Sequence, residues 1–318
     1  MTKNFDAQAF IANVTQEIQT QLAGGKKALC GLSGGVDSVV AAALVHNAVP
    51  GALTCVYVDT GLMRTGETDE VESVFRQQFN APLVRVDAQD HFLQLLQGVT
   101  DPEQKRKIIG EAFVRMFEAQ KEALAQEHGK IHGLVQGTIY PDILESQSGD
   151  FVKSHHNVGG LPEDMDFELV EPLRTLYKDE VRAVGQALGL PDSMVFRQPF
   201  PGPGLAVRCI GEITREKLDI LRAADLIVRQ ELDGMGIWQY FAVLTDMRSV
   251  GVREGKRAYG YVAAVRAVSS VDAMTANWFP IPHEKLEVLS QRITAEVPDI
   301  CRLVYDITNK PVGTIEWE

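Results

Sequence analysis

At 318 residues the chain is longer than one domain usually runs, so two domains are expected, each large enough to bury its own core. Its 45% hydrophobic and 23% charged residues exclude a disordered or fibrous protein, and its formal charge of -12 argues against broad binding to a nucleic-acid backbone. No apolar run reaches the roughly 20 residues of a membrane span, and the N-terminus shows no signal-peptide pattern, so a cytoplasmic protein without a membrane partner is expected.

In chain order, apolar residues at Phe10, Ile11, Val14, Ile18 and Leu22 predict an amphipathic opening helix over residues 5–22. A short apolar run, Lys27 to Leu32, then predicts a strand, followed by a Ser/Gly loop and a helix over Val39 to Val45. Two further strands are predicted at Leu53–Val58, before Asp59-Thr60-Gly61, and at Leu83–Val86, before Asp87, with a helix at Glu67–Phe79 between them. The charged stretch Asp101–Lys130 is expected to be helical, and its first residues to be solvent exposed in a mobile flap. A strand at Leu134–Thr138 and a helix at Lys178–Leu188 complete an alternating pattern that reads as a doubly wound, mostly parallel α/β sheet, with ligands at the carboxyl ends of the strands. The Pro/Gly cluster Pro199-Phe200-Pro201-Gly202-Pro203-Gly204 marks a rigid turn between domains. The boundary is placed at 193/194: residues 1–193 form the first domain and 194–318 a smaller α+β domain. That second domain is expected to have helices at Arg215–Leu232 and Glu284–Val297, with strands around Phe241–Leu244, Tyr261–Val265 and Leu303–Ile307.

The chemistry centres on Ser33-Gly34-Gly35-Val36-Asp37-Ser38. A loop that leaves a strand and opens a helix presents free backbone N–H groups at the positive end of the helix dipole, which suits an anion. Gly34 and Gly35 permit close approach, and Ser33 and Ser38 add hydroxyl donors. Asp37 in the same turn repels phosphate unless a divalent cation bridges them, which implies Mg2+. The GK[ST] ending of the Walker loop is missing, so cleavage between the β and γ phosphates is not supported. A plain helix cap is the bland alternative.

This hexapeptide resembles the pyrophosphate loop of the N-type ATP pyrophosphatases, which share the adenine nucleotide alpha hydrolase-like fold. Further strings narrow the resemblance to the synthetase domain of GMP synthase. In the first domain these are Val58 to Arg64, Lys105 to Gly110, Gln136 to Asp142 and Lys153 to Pro162. The second domain adds Pro199 to Leu205, Arg248 to Val252 and Lys310 to Glu318. Together they cover nearly the whole chain in order. Thr60 stands where the family often has Asn, and Val312-Gly313 where it often has Pro-Ala.

The resemblance implies an ATP-dependent ligase that adenylates xanthosine 5′-monophosphate (XMP) and then aminates it with ammonia to give GMP. The implied ATP site comprises Leu32, Ser33, Gly34, Gly35, Val36, Asp37, Ser38, Val58 and Gly137. Asp37 is the implied metal ligand, and Lys178 resembles the family's pyrophosphate-contacting lysine. Lys105 and Lys107 lie on an implied closing lid, a basic run that otherwise reads as a solvated helix face. The implied XMP site consists of Arg64, Gln239, Arg302, Lys310, Ile315 and Glu316, and the second domain is expected to form a homodimer. His155 and His156 are adjacent, which sets them on opposite faces of a strand and argues against a metal pair.

Most family members carry a glutaminase domain with a nucleophilic cysteine in a sharp elbow. None of the four cysteines here (Cys30, Cys55, Cys209, Cys301) has that setting, nor does any CxxC pair suggest zinc or a disulfide framework. Ammonia is therefore expected from solution or from a separate glutaminase subunit. The rival readings are another ATP pyrophosphatase, such as an NAD synthetase or a tRNA-thiolating enzyme, and a non-catalytic nucleotide sensor.

Overall fold

A computed structural model describes residues 5–76, 82–147, 168–271 and 273–318. The string Lys153 to Pro162, with His155 and His156, lies outside these residues. The chain divides into two compact units. The first comprises Met1–Thr60, Gly66–Ala88 and Ile109–Gly202; the second comprises Gly61–Thr65, Gln89–Ile108 and Pro203–Glu318. A single cut at 193/194 thus simplifies an arrangement in which two short early segments group with the later part of the chain.

The first unit starts with α1 (Ala7–Gln21), whose first N–H groups, those of Gln8 and Ala9, donate to the Asp6 carboxylate at 3.0 Å. Next come β1 (Lys27–Leu32), α2 (Val36–Ala48), β2 (Leu53–Asp59), α3 (Glu67–Val74) and β3 (Leu83–Asp87). Further along, α4 (Gln89–Leu95) and the start of α5 (Pro102–His128) group with the second unit, while the rest of α5, β4 (Ile131–Val135), α6 (Tyr140–Gln147), β5 (Glu168–Val170), α7 (Lys178–Ala187) and α8 (Asp192–Val195) belong to the first. The five strands are all parallel, in the order β3-β2-β1-β4-β5. Helix α2 is apolar all round because it is a core helix: ten of its thirteen residues are buried, and α1 and α7 pack against it. Strand order reverses at β1, whose neighbours β2 and β4 lie on opposite sides, so the crevice beyond the carboxyl ends of β1 and β4 is the natural ligand position.

In the second unit α9 (Arg215–Leu232) precedes a long hairpin of β6 (Gln239–Arg253) and β7 (Lys256–Ser269). Glu254 and Gly255 both have positive φ (49° and 75°), as a two-residue hairpin turn of the primed type requires. β8 (Asn277–Trp278) adds antiparallel to β7, and after α10 (His283–Glu296) the strand β9 (Ile300–Asp306) adds parallel to it. Among the described residues no helix is long and apolar enough to cross a membrane.

One expectation is corrected. The exposure expected of the segment Asp101 to Lys107 holds for Asp101, Glu103, Gln104 and Lys107, but Pro102 opens the 27-residue helix α5 and the Lys105 side chain on it is fully buried. Its ammonium donates to Ala206 O (3.4 Å), Cys209 O (2.9 Å) and the Glu318 carboxylate. Three acceptors match the three N–H donors of a lysine, which is why the charge tolerates burial. Lys107 is exposed, as expected of a solvated helix face.

Candidate functional site

In the first unit the loop after β1 turns through Gly34, whose φ of +77° disfavours any side chain, and reaches Gly35, the N-cap of α2. Gly35 has no side chain to cap the first turn, so the N–H groups of Val36, Asp37 and Ser38 are left for an anion. The two serines close the loop from inside: Ser33 Oγ and Ser38 Oγ lie 3.2 Å apart, and Ser38 Oγ donates to Gly35 O at 2.9 Å. Leu32 and Val36 are buried supports, and Val58 is buried near the carboxyl end of β2, in parallel register with Val86.

Lys178 Nζ grips both Asp37 oxygens, at 2.8 and 2.6 Å. A lysine at the first position of α7 opposes the helix dipole, and local propensity does not place it there; the Asp37 carboxylate does. The same helix start is otherwise conventional, with Asp179 and Glu180 in its first turn and the Tyr177 N–H donating to Glu180 at 2.8 Å. Asp37 and Lys178 remain partly exposed, so the pair is accessible to a ligand.

Gly137 follows β4 on the other side of the crevice. A Cβ there would lie 2.7 Å from the Asp37 carbonyl carbon and 2.8 Å from the Ser38 nitrogen. Only glycine lets this segment rest on the first turn of α2. Gly137→Ala is expected to cost about 1–3 kcal/mol by forcing backbone apart and to weaken nucleotide binding; thermal unfolding and titration with ATP check both, and an unperturbed variant would show that the loop yields.

Arg197, just beyond α8, was not singled out from sequence. Its guanidinium donates to Gly34 O at 2.9 Å and to Glu70 at 2.7 Å, and lies 3.3 Å from Glu67. Cys30, in β1 beneath the loop, is fully buried, and burial pushes its thiol up to about 12, far from a nucleophile's range.

In the second unit the segment Gly61–Thr65, which carries buried Arg64, is tied to α9. Arg222 donates to Gly61 O and to Met63 O (3.1 Å), and Arg229 to Thr65 O (3.2 Å). Glu316 and Gln239 come together: Gln239 Nε2 donates to Glu316 Oε1 at 3.0 Å. Beneath them Arg208, also missed from sequence, is fully buried and forms a fork on the Glu316 carboxylate at 2.9 and 2.8 Å. Its guanidinium lies 3.8 Å from the centroid of the Phe241 ring. Arg266, equally buried, donates to the carbonyls of Thr308 (2.6 Å) and Thr314 (3.1 Å) and, more weakly, to those of Asp306 and Ile315 (each 3.4 Å). It thereby fixes the terminal strap. Ile315 packs into the core with Phe241 and Val243. Lys310 donates instead to Ala273 O (2.8 Å) and Arg302 to Ser249 Oγ (2.9 Å), so neither ion-pairs with Glu316. An open pocket of about 490 Å³ lies along β9 and the strap, lined by Asp306, Thr308, Thr314, Glu316 and Trp317 among others.

The parallel sheet with a Ser/Gly loop at its switch point defines the first unit as a domain of the ATP pyrophosphatase class. Residues 7–146 match the family model described as NAD synthase, and residues 227–317 match the GMP synthase C terminal domain. The chain is 58% identical over 317 residues to a GMP synthase [glutamine-hydrolyzing] of Acetivibrio thermocellus, covering 98% of this chain and 61% of that protein. It is 56% identical over 318 residues to one of Geobacillus kaustophilus, covering 97% and 61%. Among solved structures it is similar to an NMN synthetase from Francisella tularensis, at 18% identity and a TM-score of 0.48 over 64% of this chain and 79% of that one. The chain thus consists of an NAD synthase-like ATP pyrophosphatase domain followed by a GMP synthase C-terminal domain, and it is similar over nearly its whole length to proteins named GMP synthase. It spans about three fifths of the length of these curated relatives.

Proposed function

We propose that the chain is the synthetase component of a GMP synthase, which adenylates XMP with MgATP, releases pyrophosphate and passes the adenylated base to ammonia. The observation that carries this reading is the Ser33–Ser38 loop with the Asp37–Lys178 pair on its first helical turn, in a chain so similar to proteins named GMP synthase. In the first step O2 of XMP bonds to the α-phosphorus of ATP as the bond to pyrophosphate breaks. Negative charge gathers on the departing group, and the loop N–H groups with Lys178 are suited to receive it. In the second step the ammonia nitrogen bonds to C2 of the base, and AMP leaves with the C2–O2 bonding electrons.

Asp37, a hard oxygen donor whose carboxylate is held here by Lys178, suits Mg2+, which takes one or two protein carboxylates beside the phosphates it binds. Among the described residues no group of three or more His, Cys, Asp or Glu side chains is assembled to hold a metal. When bound, it would offset phosphate charge. Val58 and Gly137 complete the ATP site in this reading.

XMP is assigned to the second unit, with Gln239 and Glu316 at the base and ribose and with Arg64, Arg302 and Lys310 as phosphate-binding cations. Lys105, with its donors committed to Ala206, Cys209 and Glu318, suits an anchoring role in the arrangement described, whereas exposed Lys107 keeps its place on a lid. A cytoplasmic homodimer formed through the C-terminal domain completes the reading, with ammonia drawn from solution or from a glutaminase subunit.

The test is pyrophosphate release from MgATP with XMP, run with ammonium, with glutamine and with no nitrogen donor. Release and GMP formation with ammonium but not with glutamine are expected. Activity with nicotinate adenine dinucleotide in place of XMP would favour the NAD synthetase alternative, and no turnover with either substrate would leave the sensor.

A further inference from the structure

We infer that Arg197 is a positioning residue for the pyrophosphate loop, setting the peptide between Gly34 and Gly35 so that its N–H faces the anion. The inference rests on the reading of Ser33–Ser38 as the ATP site. Its physical basis is the planar trans peptide, in which C=O and N–H point in opposite directions. Arg197 Nη1 holds Gly34 O at 2.9 Å, so the Gly35 N–H must point away from the guanidinium. It points into the loop, where it meets Ser33 Oγ at 3.4 Å, a long bond that a phosphate oxygen would readily replace.

Without such a tether this peptide has little to hold it. Two successive glycines make the turn, and Gly34 sits at φ +77°, a region that glycine enters and leaves at small cost. The guanidinium is itself fixed from behind by two carboxylates of α3, Glu70 at 2.7 Å and Glu67 at 3.3 Å, and its side chain is only 11% exposed. α3 thus braces Arg197, and Arg197 braces the loop. A lysine lacks the planar fork that reaches a carbonyl and two carboxylates at once.

The test compares Arg197→Met and Arg197→Lys with the wild-type chain, titrating MgATP, Mg-pyrophosphate and AMP by calorimetry. Loss of a charge-assisted hydrogen bond predicts that Arg197→Met weakens ATP and pyrophosphate by about 10- to 100-fold. AMP, which lacks the departing phosphates, should change less than about two-fold on the same arithmetic. Arg197→Lys should fall between, and free guanidinium should restore part of the lost affinity to Arg197→Met. Equal losses for all three ligands, or unchanged pyrophosphate affinity in Arg197→Met, would overturn the assignment. If the wild-type chain binds neither ATP nor pyrophosphate, the ATP-site reading fails first. Glu70→Gln, which loosens the brace while leaving Arg197 in place, should show the same selectivity in weaker form, and a Glu70→Gln variant that lost AMP as strongly as pyrophosphate would count against it.

Discussion

Replacing Asp37 with asparagine should lower pyrophosphate release by about 100-fold or more, the scale on which a lost electrostatic partner in a catalytic site is felt, while leaving the fold intact. The two halves of that expectation have separate causes. Asp37 and Lys178 are both partly exposed, at 26% and 43% of their side chains. Such a pair contributes only about 0–1 kcal/mol to stability, so the unfolding temperature should barely move. The carboxylate matters through what it does to an incoming phosphate chain. In the first turn of α2 it opposes the helix dipole's attraction for anions unless a divalent cation lies between. Removing it should therefore have opposite effects with and without metal. In EDTA, Asp37→Asn should bind ATP at least as tightly as the wild type; with excess Mg2+ it should bind and turn over worse. Near-normal turnover in the variant would remove Asp37 from the metal role, and weaker binding in EDTA would show that the carboxylate acts only as a partner for Lys178.

The parts legible in the sequence were those with a local signal. Lys27–Leu32, a short apolar run, and the helix Arg215–Leu232 have in the structure the same bounds that the sequence predicts. α2 began three residues earlier than its apolar run, at Val36, because glycine at the N-cap left the start without a side-chain signature. The β6–β7 hairpin was glimpsed only as two short runs. Its distal half, from Arg248 to Arg257, is largely exposed, with Val250 and Val252 facing solvent rather than a core, so it lacks the buried apolar run that marks the proximal half. Within the site, the loop and Lys178 were reached through their strings, and the Asp37–Lys178 ion pair is what joins positions 141 residues apart.

Arg197, Arg208 and the burial of Lys105 were missed for a shared reason: each charge is neutralised by groups far away in sequence, which no local pattern reports. A cue was nonetheless present for Arg208 and Arg266. Each stands inside an apolar run, Ala206-Val207-Arg208-Cys209-Ile210 and Ala263-Ala264-Val265-Arg266-Ala267-Val268. A cation embedded in such a run must find a buried partner or unfold the segment.

That logic makes Arg208→Leu the most destabilising substitution expected in the second unit. Arg208 is fully buried beneath a carboxylate that is itself only 16% exposed. Removing one partner of a buried pair costs about 3–5 kcal/mol, because the remaining charge loses its counterion without regaining water. Glu316 would keep the Gln239 amide at 3.0 Å, too little to replace a two-bond fork. The effect can be isolated cleanly, since all three tryptophans of the chain, Trp238, Trp278 and Trp317, belong to the second unit, and their fluorescence follows its unfolding alone. Denaturation monitored this way should show a large loss for Arg208→Leu and a clear loss for Glu316→Gln. The double variant Arg208→Leu/Glu316→Gln should lose less than the sum, by the coupling of about 0.5–3 kcal/mol expected of contacting residues. Strictly additive losses would mean that the fork contributes nothing and that Arg208 acts through its packing on Phe241. In the proposed enzyme the same cycle should appear in XMP dependence: Glu316→Gln keeps the strap in place yet alters the group facing the nucleotide. It should therefore raise the XMP requirement more than its stability loss explains. A variant as destabilised as Glu316→Gln but with ordinary XMP dependence, such as Ile293→Val in the core of α10, sets the baseline against which that excess is read.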